Sequence, residues 1–189
     1  LYRLAAAGVR VPQPYNFHDG VLLMELVVDA DGSAAPRLND VDFTPEDARR
    51  HHATLIREVV RMLCAGVVHG DLSEFNILLG VRDGVVAPVI IDLPQAIDAA
   101  GNNHANRMLQ RDVANLRNFF GQSAPDLLAI DHGLEIWDLY ERGLLTPETV
   151  LTGQFERKTG PVDVGSVIRE IDDARDEEMA RRLRQQQGS

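Results

Sequence analysis

The sequence predicts an α+β fold: a mostly helical lobe carrying one small β-hairpin, preceded by the end of a β-rich lobe. Three observations predict it. Asn76–Leu79 and Val85–Asp92 are apolar, β-branched runs flanking Arg82-Asp83-Gly84, a turn composition, and together they read as a hairpin. Apolar residues recur at helical spacing after Thr44 and again after Asn106. Tyr15–Phe17 and Val21–Val27 read as strands joined at His18-Asp19-Gly20. The chain divides accordingly into residues 1–27, ending the first lobe, and residues 28–189, the helical lobe.

Taken in order, Leu1–Ala7 favours helix and stops at Gly8. Val9–Pro14 is extended, because its two prolines forbid a helix. Asp29–Asn39, with Gly, Pro and Ser, reads as a linker. Thr44-Pro45-Glu46-Asp47 starts a helix, with Thr as cap, Pro in the first turn and acids at the positive end of the dipole. That helix runs to about Ala65 and stops at Gly66. Its apolar stripe is Ala48, His52, Leu55, Ile56, Val59 and Leu63, and Cys64 is placed on its apolar side. His51 and His52 are adjacent, not four apart, so they read as packing or surface histidines and not as metal ligands. Pro94 forces Leu93 to be extended, and Ala99–Ala105 is a loop. Asn106–Phe120 is a helix, with Gly121 as terminator.

Glu135–Arg142 is a short helix with Trp137 and Tyr140 as packing anchors, and Thr146-Pro147-Glu148 repeats the helix-start chemistry. Val162 to about Gln187 reads as a last, charge-dense helix, either a solvated face or a partner-binding one.

Composition excludes several classes. A formal net charge of −10 argues against a general grip on DNA or other nucleic acid. No apolar run approaches a membrane span, and no signal-peptide pattern opens the chain. One cysteine rules out an internal disulfide framework and points to a reducing, cytoplasmic compartment. The chain opens on Leu1, in what reads as mid-helix, as a fragment or a processed protein would.

The chemistry-bearing stretch is Val67–Asp92. Closing the hairpin returns Asp92 beside Asn76, so two oxygen ligands face one point, an arrangement suited to Mg²⁺. Asp71 lies on the same loop, free to orient a hydroxyl or accept its proton. His69-Gly70-Asp71-Leu72-Ser73-Glu74-Phe75-Asn76 matches the kinase catalytic-loop pattern H-R-D-L-x-x-x-N except at Gly70, and Asp92 stands where the metal aspartate would. A protein-kinase-like fold is therefore expected. The plainer alternative is an Asp and an Asn that cap turns. Asp112, beside the apolar stripe of its helix, is either a solvated acid or a buried one that accepts backbone N–H groups of this loop.

Two motifs carry a family resemblance. Asp71-Leu72-Ser73-Glu74-Phe75-Asn76 and Ile91-Asp92-Leu93-Pro94-Gln95-Ala96, followed by Arg111-Asp112-Val113-Ala114-Asn115-Leu116, resemble the RIO-type atypical serine kinases. The resemblance runs from Leu1 to about Phe120. It implies an ATP- and Mg²⁺-dependent serine kinase or ATPase switch. Asp71 would orient the acceptor, and Asn76 and Asp92 would hold Mg²⁺. Met24 would back the adenine pocket, backbone groups of Glu25 and Val27 would meet the adenine edge, and Leu78 and Ile91 would form the pocket floor. Asp92 itself is a candidate phosphoryl acceptor. Expected partners are ATP, a protein substrate that includes the chain itself, and, by resemblance only, a ribosome-assembly particle. The Gly-rich loop and Lys–Glu pair of a kinase would precede Leu1, so residues 1–189 alone are expected to turn ATP over weakly. No Ala-Pro-Glu follows Asp92, which argues against a conventional peptide groove. The alternatives are a small-molecule kinase of the aminoglycoside or choline type and a scaffold that uses nucleotide as a switch.

Overall fold

The computed structural model describes residues 1–82 and 84–155. A short helix α1 (Tyr2–Ala6) leads into the extended Val9–Pro14 segment, then the antiparallel pair β1 (Pro14–His18) and β2 (Val21–Met24). The long helix α2 (Pro45–Cys64) follows, then β3 (Val67–Val68), the hairpin β4 (Ile77–Arg82) and β5 (Val85–Ile90), β6 (Ile97–Asp98), α3 (Ala105–Gly121) and α4 (His132–Glu141). The α+β character is as expected. Among the described residues the strands form three separate antiparallel pairs, β1–β2, β3–β6 and β4–β5.

Helix α2 is the centre of the core. Thr44 caps it, its Oγ1 accepting the Asp47 N–H at 3.1 Å, a bond worth about 1 kcal/mol. Gly66, at φ 74°, ends it in the left-handed region. The expected stripe is buried, but the buried surface is wider and takes in His51, Glu58, Val60 and Met62. Glu58 accepts the Arg10 N–H at 2.8 Å, and the Arg10 carbonyl accepts the Ile90 N–H at 2.9 Å. The extended Val9–Val11 segment is thereby fixed between α2 and β5. Helices α3 and α4 pack on α2 and close the core around Leu55, Leu63, Leu116, Phe120 and Ile136.

Several local expectations change. Asp29–Asn39 is not a free linker: Val81 donates its N–H to Val28 and Leu79 donates to Pro36, so the segment lines the open edge of β4 and buries Ala35 and Leu38. Cys64 is exposed, because it is the last helical residue and the buried arc has turned past it. Gly121 remains helical instead of terminating α3. A Cβ there would overlap the Leu128 side chain, so close approach explains the glycine. Helix α4 starts at His132, capped by Asp131, and its fully buried anchors are Glu135 and Ile136. Trp137 and Tyr140 are half-buried and pack against each other. Thr146-Pro147-Glu148 forms a turn and not a helix, since the Thr146 N–H bonds the Thr149 hydroxyl and the Thr149 N–H returns to the Thr146 carbonyl. The expected last helix lies outside the described residues. Among the described residues, no helix is long and apolar enough to cross a membrane.

Candidate active site

The β3 strand delivers the chain into the loop that begins at His69, which is buried. Its Nδ1 accepts the Asp71 N–H at 3.3 Å, so its Nε2 carries the proton and donates to the Ile91 carbonyl at 3.0 Å. One imidazole in one tautomer thus ties the loop to the strand that precedes Asp92. Gly70 follows at φ 82°, where a Cβ would meet the Gln95 carbonyl at 2.9 Å and overlap Met108. The departure from the usual Arg has this steric cause: no side chain fits.

Asp71 is exposed. A 3-10 turn (Glu74–Asn76) brings Asn76 back to it, and the Asn76 carboxamide donates to the Asp71 carbonyl at 2.8 Å, with its Nδ2 3.5 Å from Asp71 Oδ2. The hairpin register sets Ile77 opposite Ile90, and the Asn76 carbonyl accepts the Ile91 N–H at 3.0 Å, one step further along. Asp92 is the next residue, exposed and at φ 63°, a left-handed conformation in which the strand cannot continue.

Met24, Ile91 and Asp92 line one cavity of about 350 Å³, together with Pro12, Leu22 and Leu93. Val27 and Leu78 are not brought to it. They pack with Ala35 and Val89 in a small separate cluster. Glu25 is tied down beside the cavity: its N–H donates to the Gln13 carbonyl at 2.8 Å, and its carboxylate pairs with Arg82 at 2.6 Å. The Val27 carbonyl accepts from Ala35 at 3.0 Å.

Asp112 resolves in favour of the buried reading. It is 1% exposed and accepts the Gly70 N–H at 2.8 Å and the Leu72 N–H at 3.0 Å. Burial pushes its carboxyl up from the ordinary carboxylate range, and the two N–H groups and the nearby Arg111 guanidinium pull it back.

The RIO domain family matches residues 1–132. This chain belongs to that family. Its RIO domain is 42% identical over 128 residues to a RIO-type serine/threonine-protein kinase Rio1 of Haloferax volcanii, covering 67% of this chain and 41% of that protein. It is 35% identical over 140 residues to the serine/threonine-protein kinase RIO1 of Chaetomium thermophilum, covering 68% of this chain and 26% of that one. The human serine/threonine-protein kinase RIO1 is 36% identical over 121 residues, covering 64% and 20%. The chain therefore spans less than half the length of these relatives. Membership carries the protein-kinase-like α+β fold expected from the loop motif. Three residues of this RIO domain escaped the sequence reading: His69 as a bridge, and Arg111 and Asn115 as loop donors. The available signal was the i, i+4 spacing of two polar side chains around Asp112 on α3.

Proposed function

We propose that this RIO domain transfers the γ-phosphoryl group of ATP to a serine hydroxyl, with Mg²⁺ as cofactor. One observation carries the reading. Asn76 is bonded on one side to Asp71 and on the other to Ile91, the neighbour of Asp92. The acceptor-orienting acid and the two oxygen ligands are therefore parts of one assembly.

The donor set suits a hard cation. Donation from Nδ2 to Asp71 leaves the Asn76 Oδ1 for a metal, and Asp92 adds a carboxylate. Among the described residues, no three His, Cys, Asp or Glu side chains gather to hold an ion by themselves. That fits Mg²⁺, which is commonly held by one or two protein oxygens together with nucleotide phosphates. When bound, the ion neutralises phosphate charge. The cavity is large enough for an adenine and apolar at Leu22, Met24 and Ile91. With the Glu25 N–H and the Val27 carbonyl already engaged, the Glu25 carbonyl and the Val27 N–H are the backbone groups left for an adenine edge. The Asp71 carboxylate holds the acceptor hydroxyl and takes its proton as the serine O–P bond forms and the bond from the γ-phosphorus to the β–γ bridging oxygen breaks, releasing ADP. The side chains of Val27 and Leu78 then act behind the pocket wall, and only the Val27 backbone faces the nucleotide.

A protein serine, including one of this chain, is the acceptor class. A ribosome-assembly particle is a partner by family likeness alone, and the free, exposed Cys64 fits a cytoplasmic setting. A switch-like ATPase with transient phosphorylation of Asp92 is the second reading, favoured by the exposure of that carboxylate at the cavity.

The test is labelled ATP with Mg²⁺ and a serine-rich protein acceptor, using the full-length protein. Asp71→Asn and Asp92→Asn should each lower serine labelling roughly 100-fold or more. Unchanged labelling in both variants would overturn the reading. Hydroxylamine-labile label on Asp92, without phosphoserine, would select the switch instead.

A further inference from the structure

From Gly70 to Leu72 each backbone N–H and C=O group is bonded to a side chain. Asp112 takes the Gly70 and Leu72 N–H groups, and His69 takes that of Asp71. Asn76 donates to the Asp71 carbonyl, Arg111 to the Gly70 carbonyl, and Asn115 to the Leu72 carbonyl at 3.0 Å. Three of these side chains, Arg111, Asp112 and Asn115, project from one stretch of α3. The segment carrying the acceptor-orienting acid thus has no strand or helix ladder. Its shape is imposed from outside.

The geometry matters because Asp71 is exposed and its carboxylate has only the long Asn76 contact. Its direction follows the two peptide planes on either side of its Cα. The Gly70–Asp71 plane is held at its oxygen by Arg111 and at its N–H by His69. The Asp71–Leu72 plane is held at its oxygen by Asn76 and at its N–H by Asp112. Asn115 fixes the following plane. Gly70 is the weak point, since a glycine resists plane rotation least, and Arg111 acts on that residue's carbonyl.

The geometry points to Arg111 and Asn115 as positioning residues for phosphoryl transfer. They hold the carbonyls on either side of Asp71 and so aim its carboxylate at the acceptor. This rests on the reading of Asp71 given above. Neither side chain lines the nucleotide cavity, so they act on the chemical step and not on ATP binding.

The test uses Arg111→Met, Arg111→Lys and Asn115→Leu in the full-length protein. Arg111→Met and Asn115→Leu should lower kcat roughly 10- to 100-fold while KM for ATP stays within about twofold, the signature of a misplaced group. Arg111→Lys, which keeps a donor, should recover part of the loss. Amide hydrogen exchange supplies a readout independent of activity. Exchange at Gly70, Asp71 and Leu72 should rise while the amides of α3 and β4 stay protected. Unchanged kcat and unchanged loop exchange would overturn the inference. So would equal loss of protection throughout α3, which marks a merely structural role. If the unsubstituted protein transfers no phosphoryl group, the functional reading fails by itself. The exchange pattern then decides the loop-holding role: a selective rise supports it, and no rise ends it.

Discussion

The buried His69 imidazole donates to the Ile91 carbonyl at 3.0 Å. That bond joins the loop of Asp71 to the strand end that presents Asp92, and the same ring accepts the Asp71 N–H. Replacing it with Phe removes the acceptor and the donor together. His69→Phe should lower the unfolding free energy by about 2 kcal/mol, from one part-buried carbonyl and one part-buried N–H left without their partner, and should reduce phosphoryl transfer. Urea unfolding and an ATP assay check the two effects. Full activity in a stable variant would show that the bridge does not align the loop with Asp92.

Asp112 satisfies two buried N–H groups, those of Gly70 and Leu72. Asp112→Ala should cost about 3 kcal/mol, since both donors lose their partner. Asp112→Asn retains one acceptor oxygen and should cost less. Chemical unfolding of the pair measures the difference. Equal, small losses would mean that water replaces the carboxylate without penalty.

Gly70 invites a substitution that would restore the usual kinase arginine. Gly70→Arg should instead destabilise the fold. A left-handed φ costs a side-chain residue about 1–2 kcal/mol, and its Cβ would press on Met108 and on the Gln95 carbonyl. A melting temperature equal to that of the unsubstituted protein would refute the steric account.

Acid should weaken the helical core through histidine. Burial, followed by the charges of His132 and Arg117, lowers the His52 pKa from 6.5 to about 4. The ring packs edge-on against Phe120 and stacks on His132, itself 3.9 Å from Glu135. Neighbouring His51, which packs on Phe43 beside Arg50 and Asp47, is also shifted down, mainly by burial. As pH falls below 6.5, the unfolded chain binds a proton that the folded His52 refuses. Stability present above 6.5 is therefore lost progressively down to about pH 4, by about 3 kcal/mol from this group. His52→Phe should flatten that part of the profile in urea unfolding from pH 7 to 4. An unchanged slope would mean that His52 is not the proton-linked group.

The sequence by itself determined what depends on near neighbours. The Thr44 cap and the Gly66 stop of α2 were readable because capping is local. The pairing of β4 with β5 followed from two apolar, β-branched runs around a turn, and the approach of Asn76 to Ile91 follows from that register. The loop that returns Asn76 to Asp71 is a local turn, and the hairpin register leaves Asp92 one residue past Ile91. The tertiary structure decided what depends on contacts between distant segments. Cys64 fell outside the buried arc, the Asp29–Asn39 segment found the open edge of β4, and Thr146 stayed in a turn for want of a helix to cap. Val27 and Leu78 packed away from the cavity that Met24 and Ile91 line. The hold of α3 on Gly70–Leu72 was the least legible part, because Arg111, Asp112 and Asn115 lie about forty residues along the chain from their partners. Composition and periodicity report which face of a helix is buried, but not which backbone groups await it there.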